Sequence, residues 1–118
     1  MKYFSIAEFF NSDTADKYQV SNIPADEELL AVLNNINALV NNVLDPLRAM
    51  IARPIIITSG YRSQRVNELV GGSKTSQHLI GKAADIHVQG YTTQQMDMVY
   101  RTLNCILYFY IFCDILLS

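Results

Sequence analysis

Between Leu29 and Leu47 the apolar residues Leu29, Leu30, Leu33, Ile36, Leu39, Val40, Val43, Leu44 and Leu47 recur chiefly at steps of three and four. That period is one face of an α-helix, so the chain must supply other elements to cover a long apolar stripe. Pro24 followed by Asp26, Glu27 and Glu28 suits the start of this central helix, where a missing N–H is harmless and acidic charge is favoured. Pro46 lies inside the stripe and removes a backbone donor, which predicts a kink there or a break into a second short helix. With 118 residues in all, there is room for one such core and hence one domain.

The covering elements are legible on both sides of that helix. Ser5-Ile6-Ala7-Glu8 has the form of a capping box and predicts a short helix turning Ile6, Phe9 and Phe10 inward, ended by Asn11 and Ser12. The stretch from there to Asn22 reads as a polar loop. After Pro54, Ile55-Ile56-Ile57-Thr58 is short and β-branched, which predicts a buried strand. Val66, Asn67, Leu69 and Val70 suit a short helix stopped by Gly71-Gly72, and a polar loop follows to Gln77. Ala83-Ala84-Asp85-Ile86-His87-Val88 alternates as a half-buried strand does, with Asp85 and His87 on the face opposite Ala84, Ile86 and Val88. Thr92-Thr93-Gln94-Gln95 opens a further helix through about Leu103. Helices and a few short strands in this order make the fold class α+β, with a small antiparallel sheet packed against helices.

Composition narrows the function. Half the residues are hydrophobic, 17% are charged and the net charge is −2, a balance expected of a soluble globular domain. The nine basic residues form no run that tracks a phosphate backbone, so nucleic acid is not expected as a partner. The N-terminus, with Lys2 and no long apolar core before Asn11, does not read as a secretory signal, leaving a cytoplasmic location or release by another route. From Leu103 to Ser118 the chain is apolar and aromatic, but it is interrupted by Asp114 and falls short of the roughly 20 residues a membrane span needs. It reads instead as an interior strand or as a segment that the native chain would not normally expose. Cys105 and Cys113, eight positions apart, match no redox or zinc-knuckle spacing and read as buried thiols.

The segment richest in chemistry is Ser76-Gln77-His78-Leu79-Ile80-Gly81-Lys82-Ala83-Ala84-Asp85. It sets an imidazole in a glycine-bounded loop and a carboxylate on the adjoining strand, and both are ordinary zinc ligands that such a turn can bring to one ion. By themselves a histidine and an aspartate at this spacing are also common as a capping or surface pair.

Together, Ser59-Gly60-Tyr61-Arg62-Ser63, Asn67, Val70-Gly71-Gly72, Ser76-Gln77-His78, Gly81 and Ala83-Ala84-Asp85-Ile86 resemble the signature of the M15 peptidases, the zinc D-alanyl-D-alanine carboxypeptidase family. The chain reads as a single domain, residues 1–118, and the likeness covers residues 1 to about 102 and fails after that. It implies Zn2+ as cofactor, D-amino-acid-containing peptidoglycan peptides as substrate, and carboxypeptidase or endopeptidase activity. It also implies that His78 and Asp85 ligate the metal, that Arg62 is catalytic as the group polarising the scissile carbonyl, and that Ser76 lines the substrate pocket. The alternatives are a surface salt bridge for Arg62 and a loop cap for Ser76. Tyr61 reads as core packing, Gly60, Gly71, Gly72 and Gly81 as turn geometry, and Asn67 as a brace for the Arg62 loop.

Members of that family complete the site with a second histidine and an acidic residue near the C-terminus, and no histidine occurs from Val88 to Ser118. Three explanations stand: the end of the chain is altered, His87 serves as third ligand from the strand face of Asp85, or Asp114 or Cys113 substitutes. The missing histidine also supports a different class of function, a catalytically dead wall-binding or interaction module that keeps the groove without a working metal.

Overall fold

The structure is a computed structural model and describes residues 1–107 and 114–117. Among these residues six α-helices, α1 (Ile6–Phe10), α2 (Asp13–Tyr18), α3 (Asp26–Leu39), α4 (Asp45–Ile51), α5 (Gln64–Leu69) and α6 (Thr93–Leu107), accompany three strands, β1 (Ile55–Ser59), β2 (Ala83–Val88) and β3 (Asp114–Leu117). The fold is α+β, as the sequence predicts. β1 and β2 pair antiparallel, and β3 joins the other edge of β2 in parallel.

The central helix is continuous in space from α3 into α4, joined by a π-helical turn over Val40–Leu44. There the Asp45 N–H donates to Val40 O, five residues back, immediately before Pro46, which has no N–H to give. The widened turn absorbs the missing donor, so the helical path is not broken. Val40, Val43, Leu44 and Leu47 are all completely buried as a result. Leu30 departs from the expected face: it is 71% exposed, and Val32 takes the buried position instead. Phe9, Ile36, Leu39, Ile86 and Leu103 complete the middle of the core.

The expected loop from Asn11 to Asn22 contains a helix, α2. Ser12 caps it by accepting from the Ala15 N–H at 3.0 Å, and Gln19 ends it in the left-handed conformation. Only Ala15 of this helix is buried, so it carries no apolar stripe to betray it. At α1 the Glu8 carboxylate accepts from the Ser5 N–H at 2.6 Å. At α6 Thr92 and Gln95 cap each other reciprocally, at 2.8 and 3.2 Å, and that helix runs on to Leu107. β1 is an edge strand in which Ile55 is buried and Ile56 is 45% exposed, rather than buried throughout. Gln77–Ile80, expected as loop, forms a 3-10 turn. No helix among the described residues is long and apolar enough to cross a membrane. Cys113 lies outside the described residues, and Cys105 falls within α6.

The pairing of β1 with β2 is irregular at one point, beside the motif around Arg62. β1 is in register with β2 at Ile55–Val88, Ile56–His87 and Ile57–Ile86, then slips so that Ser59 stands opposite Asp85. The extra residue, Thr58, makes a bulge, which bends the strand end and re-aims the chain leaving it.

Candidate active site

The loop that leaves the bulge is held at three consecutive residues by three different parts of the fold. The Tyr61 N–H donates to Phe9 O at 2.8 Å and the Arg62 N–H to His78 O at 3.0 Å. The Ser63 N–H donates to Asn22 Oδ1 at 2.7 Å. Asn22 also donates through Nδ2 to Tyr61 O and Phe10 O, each at 3.0 Å. Asn22 is only 6% exposed, and with every polar atom of its amide engaged it fixes the path of the Arg62 loop. Nothing in the sequence singles it out, since its partners lie up to 41 positions away. Gly60 is needed here for space: a Cβ would come within 2.7 Å of both Cα and O of Phe9.

His78 sits on the 3-10 turn, whose first N–H groups are capped by Ser76: Ser76 Oγ accepts from the His78 N–H at 3.2 Å. Gly81 ends the turn with φ +79°. The imidazole is buried, and its Nδ1 lies 2.7 Å from Gly60 O. A carbonyl only accepts, so Nδ1 carries the hydrogen and Nε2 is the ring nitrogen left to face the other side. Nε2 faces Asp85 Oδ1 at 3.7 Å. Two electron-pair donors face each other there, an arrangement that is favourable only with a proton or a cation between them. Tetrahedral zinc ligands at about 2.0–2.2 Å from the ion stand roughly 3.3–3.6 Å apart, so the pair is close to the spacing of two zinc ligands. The bond from Nδ1 to a backbone carbonyl is likewise how metal-binding histidines are oriented.

Arg62 reaches the same carboxylate from the other side. Its Nη2 is 3.5 Å from Asp85 Oδ2, its Nη1 donates to Asn67 Oδ1 at 3.3 Å, and its Nε donates to Ser59 Oγ at 3.4 Å. Asp85 and Arg62 keep 20% and 16% of their side chains exposed, so the cluster has an open side. Arg62, His78 and Asp85 are thus brought together from the bulged loop, the 3-10 turn and β2. Asn67 braces the loop as expected, through its side chain. Next to Arg62, Tyr61 packs edge-on against Phe10; burial, aided by the Glu28 charge, pushes its hydroxyl pKa up and keeps it protonated.

His87 does not join the cluster. It lines a separate hollow of about 310 Å3 with Tyr91, Thr92, Met96, Asp97 and Tyr100, at the start of α6. Among the described residues no group of three histidine, cysteine, aspartate or glutamate side chains gathers to hold a metal. Asp114 opens β3 with Ala83 as its backbone neighbour on β2. A groove of about 980 Å3 passes beside the cluster, lined by Tyr61, Asn67 and Leu79 with Glu28, Lys74 and Lys82. It touches the neighbours of Arg62 and His78 rather than those residues themselves. Ser59 and the Gly60 carbonyl are parts of the site that sequence reasoning passed over, although both stand within the motif around Arg62.

Comparison with known proteins agrees with the motif. A family model described as Peptidase M15 matches residues 2–112, continuing past residue 103, where the resemblance was expected to lapse. Neither the comparison with curated proteins nor that with solved structures gives a match. A match over nearly the whole length, on a chain whose bulged loop, 3-10 turn and second strand bring the motif residues together, means that this protein belongs to the peptidase M15 family.

Proposed function

We propose that the protein is a zinc-dependent peptidase acting on D-amino-acid-containing peptides of peptidoglycan, with His78 and Asp85 as metal ligands. The observation that carries this reading is the bond from His78 Nδ1 to Gly60 O at 2.7 Å, which turns Nε2 toward Asp85 Oδ1 at 3.7 Å. These two donors fit zinc in kind and in spacing. When bound, zinc supplies Lewis acidity at the scissile carbonyl and lowers the pKa of water. Arg62 offers fixed positive charge for the oxyanion that develops in amide hydrolysis, from a guanidinium oriented by Ser59, Asn67 and Asp85. Ser76, whose oxygen accepts from the His78 N–H, retains its O–H as a donor for a substrate carbonyl. His87 is one candidate third donor, on the strand face of Asp85, and it would have to leave the hollow beside α6 to serve.

A second reading rests on the two-donor character of the cluster: a module that binds wall peptide without a working metal. Zinc hydrolases use three protein ligands, so a site with two holds the ion loosely and turnover is expected to be poor. Titration with zinc against a chromophoric chelator, beside an assay for D-alanine or cleaved peptide released from a wall fragment, separates the two. Saturable binding of one zinc, with chelator-sensitive cleavage however slow, supports the peptidase. Binding of wall fragments with neither zinc uptake nor cleavage supports the module.

A further inference from the structure

We propose that Asn67 is a positioning residue for Arg62: a neutral anchor that holds the guanidinium in one plane without adding a counter-charge. The inference rests on the reading of Arg62 as the group that meets the oxyanion, and it concerns how that group stays aimed.

Asn67 is 4% exposed and its amide has only one workable orientation. Nδ2 lies 2.9 Å from Ser73 O, a carbonyl that only accepts, so Nδ2 must be the donor and Oδ1 must face Arg62 Nη1, 3.3 Å away. The backbone holds the side chain in place, since the Asn67 N–H donates to Ser63 O at 2.9 Å and Asn67 O accepts from the Gly72 N–H at 2.8 Å. Gly72 leaves the space that the amide fills, because a Cβ there would collide with Asn67 Oδ1.

The guanidinium therefore has a separate acceptor on each nitrogen: Ser59 Oγ on Nε, Asn67 Oδ1 on Nη1 and Asp85 Oδ2 on Nη2. Of the three only Asp85 is charged, and Asp85 is also the carboxylate proposed to turn to the metal. With Asp85 engaged as a metal ligand, Arg62 would lose its anchor on Nη2 and its charge partner. Asn67 and Ser59 remain, and both are neutral. A carboxylate at position 67 would bring a second negative charge to Arg62 and would set an oxygen against Ser73 O, which only accepts, so the amide is the group that meets both demands.

The two Nη groups exchange places by rotation about the Nε–Cζ bond, and a hydrogen bond on Nη1 resists that rotation. In 15N-labelled protein, NMR of the Arg62 guanidinium is expected to give resolved Nη1 and Nη2 signals, and to keep them resolved when zinc is added. Asn67→Ala should speed the rotation by about tenfold or more, the factor carried by one hydrogen bond to a charged group. Averaged Nη signals in the unmodified protein would overturn the proposal even if the alanine variant failed to fold, as would unchanged rotation in a folded Asn67→Ala. Neither readout uses zinc affinity or turnover, so failure of the peptidase reading leaves its own distinct result.

Discussion

Replacing Gly60 by alanine tests how the core and the site are joined. The added Cβ would stand 2.7 Å from Cα and from O of Phe9, and 2.9 Å from its ring. Backbone atoms cannot rotate out of the way, so α1 must shift from the end of β1 or the loop must move. Overpacking of this kind costs about 1–3 kcal/mol. The same displacement lengthens the 2.8 Å bond from the Tyr61 N–H to Phe9 O, adding about 1 kcal/mol. The expected loss is therefore about 2–4 kcal/mol, read as a lowered urea midpoint at unchanged slope. Because the Gly60 carbonyl is the acceptor for His78 Nδ1, zinc affinity should fall in the same variant. Gly71→Ala is the control. Nothing lies within 4 Å of its Cβ position, and φ is +72°, so it should cost only the left-handed strain of about 1–2 kcal/mol and leave zinc binding alone. Gly60→Ala within about 0.5 kcal/mol of the unmodified protein, or milder than Gly71→Ala, would refute the steric argument.

Other perturbations address the site directly. His78→Ala and Asp85→Ala should each abolish zinc uptake, and an unchanged zinc stoichiometry by elemental analysis in either variant would remove that residue from the ligand set. Arg62→Lys is expected to lower whatever cleavage rate is measured by about a hundredfold with little change in stability, because lysine keeps the charge but loses the fork; a wild-type rate would make Arg62 a structural ion-pair partner only. The folded Tyr61 hydroxyl has its pKa raised by burial and by Glu28. The stability this represents is intact below the unfolded tyrosine pKa of about 10 and is lost as pH rises from there toward the folded value. Urea unfolding at pH 8 and pH 11 should show a smaller drop for Tyr61→Phe than for the unmodified chain, and equal drops would mean that the hydroxyl is not held protonated.

The sequence by itself determined the elements whose signals are local. The apolar period fixed the central helix, paired Thr92–Gln95 and Ser5–Glu8 caps marked two helix starts, and alternation from Ala83 to Val88 identified a half-buried strand with Asp85 on its open face. The motif residues around His78, Gly81 and Asp85 marked a candidate ligand pair through their resemblance to the M15 signature, which the spacing alone could not do. Helix α2 escaped because a cap at Ser12 without an apolar stripe looks like any polar loop. Tertiary structure alone decided the rest, since the deciding partners are far apart in the chain. The slip at Thr58 sets Ser59 opposite Asp85, and Asn22 reaches the Arg62 loop from 41 positions away. His87 shares a strand face with Asp85, yet it faces the hollow at the start of α6. Two residues of rise along β2 carry it about 7 Å from Asp85, a separation that periodicity records only as sameness of face and that packing turns into two different places.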